Sequence, residues 1–556
     1  MNRNLPLALA AALGMATTAH AQRYINEVFT NAQVTVTPDV IYGTNIDFLT
    51  SNLSSPNVPA EVVELQTAVT LGNPIPAAYF NPADPATAVK VTNVRMDIYQ
   101  PDQSVDAETE RPLVLYLHTG NALPPPLNGS PNGTRKDSSA VEICKRMARR
   151  GYVAVSMSYR LGWNPLAATE QERRGQLLNA IYRAIHDVRQ CVRTLKAGAT
   201  TYRIDPTKIV VLGEGTGGYI SLANATLDEG AELFIPKFRP DPFNPNVSYV
   251  DTTLVGNLAG FNGQLALYRP NGQNFDTHFC VNLGGALADT SWLAPGDVPM
   301  VAFHTVFDPF APFTEGIVIV PTTGGPVVPV QGSNLFMELV NEYGNNSSFE
   351  NLPSNNPFTN RARALYGSTQ THGSVSVQIN TDVEGLFPLV RPQWPAPAQE
   401  EASPWQWWDP NSAIAQSVVS PGPPPITAHV ASLASNPDMS PTKGRTYIDT
   451  IMGYLNPRIV CALQLGPCSL VGMDENDALA AGVTVFPNPA SDRFTVNSEA
   501  ALIQRLEIYD INGRMVRSTN VNAWQAVIER QGLIAGAYHV TLRFADGTVT
   551  RKLMLD

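Results

Sequence analysis

The stretch "KIVVLGEGTGGYISLANATL", Lys208–Leu227, joins a run of β-branched apolar residues to a helical stretch through Gly213, Gly215, Gly217 and Gly218. It predicts a buried strand that turns through glycines directly into a helix, since a residue without Cβ makes so tight a turn at little steric cost. The same unit recurs on either side. From about Val34 to Leu386, short β-branched runs alternate with helical stretches, the pattern of a parallel sheet covered on both faces. The expected strands are "VTVTPDVIYG" (34–43), "VTNVRMDIYQP" (91–101), "PLVLYLHTG" (112–120), "YVAVSMSYR" (152–160), "KIVVLGEG" (208–215), "HFCVNLGG" (278–285), "VPMVAFHT" (298–305) and "SVSVQINTD" (374–382). Between them, "SSAVEICKRMARRG" places Val141, Cys144 and Met147 on one helical face. "LLNAIYRAIHDVRQCVRTLKAG" does the same with Leu178, Ile181, Ile185, Val188 and Val192, and Gly151 and Gly198 stand at the expected C′ stops. A last helix is expected in "GRTYIDTIMGYLNPRIVCALQL", 444–465. The fold class is therefore α/β, with an eight-stranded sheet flanked by helices.

At 556 residues, of which 44% are hydrophobic, the chain is too long for a single core and is expected to form more than one domain. Charged residues make up 15% and the formal net charge is −11, with no concentrated basic patch to hold nucleic acid or an anionic membrane. Arg3, the apolar run Leu5–Met15 and the small-residue site Ala19-His20-Ala21 read as a signal peptide over 1–21, so the mature chain is expected to start at Gln22. No later stretch approaches the roughly 20 continuous apolar residues of a membrane-spanning helix. In an oxidising compartment five cysteines allow at least one disulfide and leave one thiol over. Cys461 pairs with Cys468 on proximity, or with Cys144 if both helices flank one face of the sheet, while Cys280 reads as a small buried hydrophobe. No Cys/His spacing suggests a zinc site, and no metal or other cofactor is expected.

After the linker "SLVGMDENDALAAG" the composition changes. From Val483 to Asp556 short strands are separated by turns, including Asn512-Gly513 and Asp546-Gly547, which predicts a small all-β sandwich. Phe486-Pro487-Asn488-Pro489, "IYDINGRMV", Gly536-Ala537-Tyr538 and the terminal "GTVTRKLMLD" closely resemble the C-terminal sorting domain of the type IX secretion system. The resemblance implies the outer-membrane type IX machinery as partner of 483–556, and an address at the cell surface or in the medium, reached through the periplasm. The expected domains are thus 1–21, a signal peptide; 22–468; a linker at 469–482; and the sorting domain at 483–556.

"MDIYQPDQ", "RPLVLYLHTGN", "RRGYVAVSMSYRLGWNP", the stretch from "AIHDVRQC" to "VVLGEGTGG", and "VPMVAFHTVFDPFAP" resemble, in order and spacing, carboxylesterases and feruloyl-esterase-like α/β hydrolases. That resemblance implies a G-x-S-x-G turn after the fifth strand, an oxyanion loop after the third, a carboxylate after the seventh and a histidine after the eighth. Asp308, in "FHTVFDPFAP", stands at the acid position, although an Asp before Pro309 also starts turns unaided. His118-Thr119-Gly120-Asn121 stands at the oxyanion loop, with Thr119, Gly120 and Thr216 as the expected donors; the loop also fits a plain tight turn.

The other two roles are not filled where the resemblance places them. The strand ends at Leu212, so the serine position holds Gly215. Moving the frame by one makes Thr216 a weak alternative nucleophile, with Glu214 where a small residue is needed and a β-branched residue at positive φ, at a cost of about 1–3 kcal/mol. Ser221 is a candidate only by elimination. After the expected eighth strand no histidine follows; His372 precedes it and is a weak candidate base, His429 lies far beyond, and His118, His278 and His304 read as strand-end histidines. Trp405, Trp407 and Trp408 could stack a sugar or aromatic ring, or could anchor their loop. The expectation is a non-catalytic secreted protein of carboxylesterase-like ancestry whose cleft binds an ester, a glycan or a partner. The alternative is an active secreted carboxylic-ester hydrolase with a non-standard nucleophile.

Overall fold

Seven of the eight expected strands form where their apolar runs lie: β1 (Val34–Ile46), β2 (Val91–Pro101), β3 (Arg111–Leu117), β4 (Val153–Met157), β5 (Ile204–Glu214), β6 (Phe279–Leu283) and β7 (Met300–Thr305). The computed structural model describes residues 23–320, 323–352, 356–395, 400–466, 468, 482–499, 501–510, 515–544 and 547–556. The expected signal peptide, residues 469–481 of the linker, Asn512-Gly513 and Asp546 lie outside the described residues.

The eighth strand is not "SVSVQINTD". β8 (Glu315–Ile319) and β9 (Pro326–Gln331) form one hairpin outside the main sheet; β10 (Thr369–His372) and β11 (Val375–Gln378) form another, largely solvent-facing one. The strand that completes the sheet is β12 (Leu386–Leu389), "LFPL", buried at every residue and paired in parallel with β7. The valine–serine alternation suits a two-stranded ribbon exposed on one face, whereas a strand covered on both faces reads as an unbroken apolar run. Pro388 obscures that run, and it is tolerated because β12 is the edge of the sheet.

The sheet order is β1-β2-β4-β3-β5-β6-β7-β12. All pairs from β4 to β12 are parallel, and the two pairs made by β2 are antiparallel. Helices α1 (Ser138–Arg149) and α2 (Glu170–Ala197) bury most of their expected faces: Cys144 and Met147 are fully buried, as are Val188 and Val192, with Ile185 at 2%, while Val141 and Ile181 are only half-buried. Gly151 closes the first helix at φ 96°, but Gly198 has φ −99° and the left-handed residue is Arg203, one short helical turn later. α3 (Thr216–Thr226) follows β5 after one intervening residue. α4 (Ala428–Leu433) and α5 (Pro441–Ala462) complete this part of the chain, and Cys461 bonds to Cys468, leaving Cys144 as a buried free thiol.

The chain divides into two compact units, Met1–Leu352 with Ala362–Cys468, and Ser469–Asp556 with Pro353–Arg361. In the second, a three-stranded sheet (483–486, 493–498, 525–529) and a four-stranded sheet (503–510, 515–523, 536–544, 547–555) share one core that includes Phe494, Val496, Leu506, Ile508, Val540 and Leu542. Two sheets facing one core make a sandwich.

Candidate functional site

β5 ends at Glu214 and α3 begins at Thr216, so Gly215 alone makes the turn, at φ 53° and ψ −114°. This is a conformation close to Gly-only, and its amide donates to the Leu283 carbonyl (2.8 Å) at the end of β6. A Cβ on Gly215 would collide with the Thr119 hydroxyl and lie 3.1 Å from the Thr119 Cβ. The position where the resemblance expects a serine therefore has neither a hydroxyl nor room for one while Thr119 keeps its rotamer. Gly217 allows α3 to pass the Leu117 carbonyl at the end of β3, where a Cβ would also collide.

Thr216 is buried, and its Oγ1 accepts the Asn121 amide (2.7 Å). This bond uses Thr216 to tie the helix start to the loop after β3, and takes up one of that loop's N–H groups. Thr119, Gly120, Asn121, Gly215, Thr216 and Asp308 all line one cavity of about 420 Å³. The structure thus brings together the expected acid, the vacant turn and the three expected oxyanion residues.

Asp308 follows β7 in a half-buried turn that keeps its carboxyl out of solvent. Its Oδ1 accepts the amides of Phe310 (2.8 Å) and Ala311 (2.9 Å). Burial pushes its carboxyl up to about 7 against the opposing pull of those two amides. The imidazole beside it, His304, is 3.8 Å away and fully buried, with Nε2 directed to the Ala311 carbonyl (3.0 Å) and Nδ1 to Ser333 Oγ (2.8 Å). Burial lowers His304 to about 4, so both nitrogens are committed to a neutral structural ring.

No histidine lines the cavity among the described residues. His372, the expected candidate base, lies outside it on β10, where Nδ1 pairs with Glu400 (2.8 Å) and the ring stacks on Phe307 with centroids 4.1 Å apart. His118 stacks on Tyr159 and is lowered to about 4 by burial. His278 accepts the Ile209 amide, and His429 accepts the indole N–H of Trp408 (3.1 Å). Ser221 is fully buried, its hydroxyl shared between the carbonyls of Gly218 (2.9 Å) and Val281 (3.0 Å).

The tryptophans separate. Trp405 is fully buried and Trp407 packs against Gly444 and beneath Arg445, so both anchor their loop. Trp408 reaches the cavity wall. A residue the sequence reading passed over holds this loop down: the Glu214 carboxylate, fully buried, accepts Trp405 Nε1 (2.7 Å), Gln406 Nε2 (2.6 Å), Ser139 Oγ (3.2 Å) and the Tyr116 hydroxyl. A lone acid closing an apolar strand implies buried partners. Nothing in the sequence names them, because they lie 75 to 192 residues away.

Residues 96–253 match the family described as BD-FAE, and residues 484–556 match the secretion system C-terminal sorting domain. The chain is an α/β-hydrolase-fold protein with a sorting tail. The tail marks this α/β-hydrolase-fold protein for secretion or the cell surface, and no helix among the described residues is long and apolar enough to cross a membrane. An endo-acting ulvan lyase of Formosa agariphila is 37% identical over 86 residues, 15% of this chain and 17% of the lyase. The chain therefore spans about a sixth of the length of the curated relative it matches. Among solved structures, propionate-bound esterase 2 of Thermogutta terrifontis is 15% identical with a TM-score of 0.25, covering 40% of this chain and 71% of that one. PorZ, a type IX secretion component of Porphyromonas gingivalis, is 21% identical with a TM-score of 0.13, covering 16% of this chain and 13% of that one.

Proposed function

We propose that the α/β-hydrolase-fold domain, residues 22–468, is a non-catalytic binding module. It is exported after removal of residues 1–21 and delivered across the outer membrane by type IX machinery acting on residues 483–556. The observation that carries the reading is the turn at Gly215: the backbone keeps the shape that presents a nucleophile, while Thr119 occupies the space its side chain would need. Asp308 supports the same reading, since an orienting acid needs an imidazole to orient and no histidine shares its cavity among the described residues. Thr216 and Ser221, the alternative nucleophiles, have hydroxyls engaged with the Asn121 amide and with backbone carbonyls. Thr119, Gly120 and Thr216 are then wall residues of a ligand cavity rather than an oxyanion hole, and Trp408 is the tryptophan placed to touch a ligand.

The purified mature protein is expected to hydrolyse p-nitrophenyl esters of two to eight acyl carbons no faster than buffer, and to take no label from a fluorophosphonate. Turnover that disappears in Asp308→Ala, or label on a hydroxyl of the cavity wall, would overturn the reading and establish an ester hydrolase with a non-standard nucleophile. Export is tested separately. A chain ending at Cys468 is expected to stay in the periplasm while the full chain reaches the surface or medium.

A further inference from the structure

The connection from β12 to α5, in which the resemblance places a histidine, is tied together at its base. Glu214 holds Trp405 (2.7 Å) and Gln406 (2.6 Å), and the buried Asn436 donates to the Gln406 carbonyl (3.1 Å) while accepting from Lys443 (2.7 Å). Residues 409–435 run out from these two posts and back. They form a hairpin of β13 (Val418–Ser420) and β14 (Ile426–Thr427), then α4, and they give Val419, Ser420, Ala431, Ser432 and Ser435 to the wall of the 420 Å³ cavity.

Between its posts this segment is held lightly. Among the described residues, every hydrogen bond made by 409–435 ends within 408–436. Only Ala415 and Ala428 are buried in it, and Ile414, Val418 and Val430 are exposed. A segment with so little buried apolar surface opens at low cost.

One side-chain bond joins it to the anchored tryptophan loop: Trp408 Nε1 donates to His429 Nδ1 (3.1 Å), with the rings edge to face at 6.1 Å. An indole nitrogen only donates, so His429 accepts at Nδ1 and carries its proton on Nε2. A second proton must go to Nδ1. The imidazolium then has no acceptor to offer, so the bond exists only with the neutral ring. Asp409 is the other titratable residue of 408–436, and its Oδ1 accepts the Asn411 amide (2.9 Å). At the base, Lys443 pairs with Glu401 and Asp438, and Arg445 stacks over Trp407 (5.3 Å). His429 makes no ion pair among the described residues, so no salt bridge replaces the lost bond.

We propose that residues 409–435 are a lid over the cavity, latched by Trp408 on His429, and that protonation of His429 releases the latch. One proton passes from solvent to Nδ1, and the indole N–H turns to water. The device controls entry, whether the cavity binds or transforms what enters.

Ser403→Cys, on the cavity wall outside the lid, reports access; Val63→Cys, 63% exposed on the helix Val58–Leu71, corrects for the thiolate fraction at each pH. The native free thiols are buried. In the full mature chain, the rate with 4,4′-dithiodipyridine at Ser403→Cys, divided by that at Val63→Cys, is expected to rise about three- to tenfold from pH 8 to pH 5. Imidazoles titrate in that range, and the factor is what one neutral hydrogen bond contributes. Adding Trp408→Phe should make the reaction fast at both pH values. Adding His429→Gln, whose amide accepts without titrating, should abolish the pH dependence. In protein labelled with 15N at tryptophan, the indole signal that Trp408→Phe removes should move between pH 8 and pH 5, and stay fixed in His429→Gln. A ratio flat with pH, or a pH dependence that survives either substitution, would overturn the lid. Ester turnover by the wild-type protein would overturn the non-catalytic reading and leave the lid standing.

Discussion

Thr119 fills the space that a side chain on Gly215 would enter: an added Cβ would meet the Thr119 hydroxyl and sit 3.1 Å from its Cβ. The two residues come from the ends of adjacent strands, β3 and β5, and their fit couples the loop after one to the turn after the other. Gly215→Ser is accordingly expected to lower stability by about 1–3 kcal/mol, from strained φ and the collision together. Thr119→Ala should recover part of that loss, with a coupling of at least about 0.5 kcal/mol in a urea double-mutant cycle. Neither variant should gain ester hydrolysis, since a restored hydroxyl would still have no imidazole to activate it.

Glu214 is expected to matter for architecture. Its carboxylate serves four donors on β3, α1 and the tryptophan loop, so Glu214→Ala strands all four in a buried site. A loss of about 3–5 kcal/mol is expected by chemical denaturation. The near-UV circular dichroism of the tryptophans should change with it. Glu214→Gln should lose less, but its amide cannot accept from all four.

Asp308 makes stability depend on pH in a stated direction. Its folded pKa, about 7, lies above the ordinary carboxyl value, 3.8. The folded state therefore holds a proton the unfolded chain has released, and this carboxyl's contribution to stability falls as pH rises from 3.8 towards 7. The full penalty above that window is at most on the order of 4 kcal/mol. Asp308→Asn stays neutral throughout, so its melting temperature relative to wild type should rise between pH 4 and pH 8. A difference that is flat with pH would show that Asp308 ionises freely in the fold.

The cysteines divide cleanly. Cys461 and Cys468 are bonded, and Cys144, Cys191 and Cys280 are buried free thiols. Burial raises all three thiols, that of Cys280 to about 12. Ellman's reagent should titrate none in the native protein and three after denaturation without reductant. Reaction in the native state at neutral pH would mean that one of these packing positions opens.

Much of the first unit is legible because parallel strands covered on both faces cannot hide their composition. "PLVLYLHTG" and "YVAVSMSYR" contain β3 and β4, buried at every residue. The same criterion fails at β12, where a proline interrupts a run of only three other apolar residues and a neighbouring alternating ribbon offers a better-looking strand. It also fails at Gly198, where a short turn carries the helix end on to Arg203.

Sequence by itself determined the layers, the glycine turn at Gly215, the position of Asp308 after β7 and the division between hydrolase fold and sorting tail. Each is a local matter: periodicity, a glycine, a residue type at a spacing. Only the tertiary structure decided that Thr119 closes the space beside Gly215, that Glu214 anchors Trp405, that His304 is spent on Ser333 and Ala311, and that an apolar cavity and a larger mixed one share Asn121, Thr216 and Tyr219 in their walls. These relations join residues far apart in the chain, and shape, burial and hydrogen-bond partnership exist only once distant segments have been packed against one another.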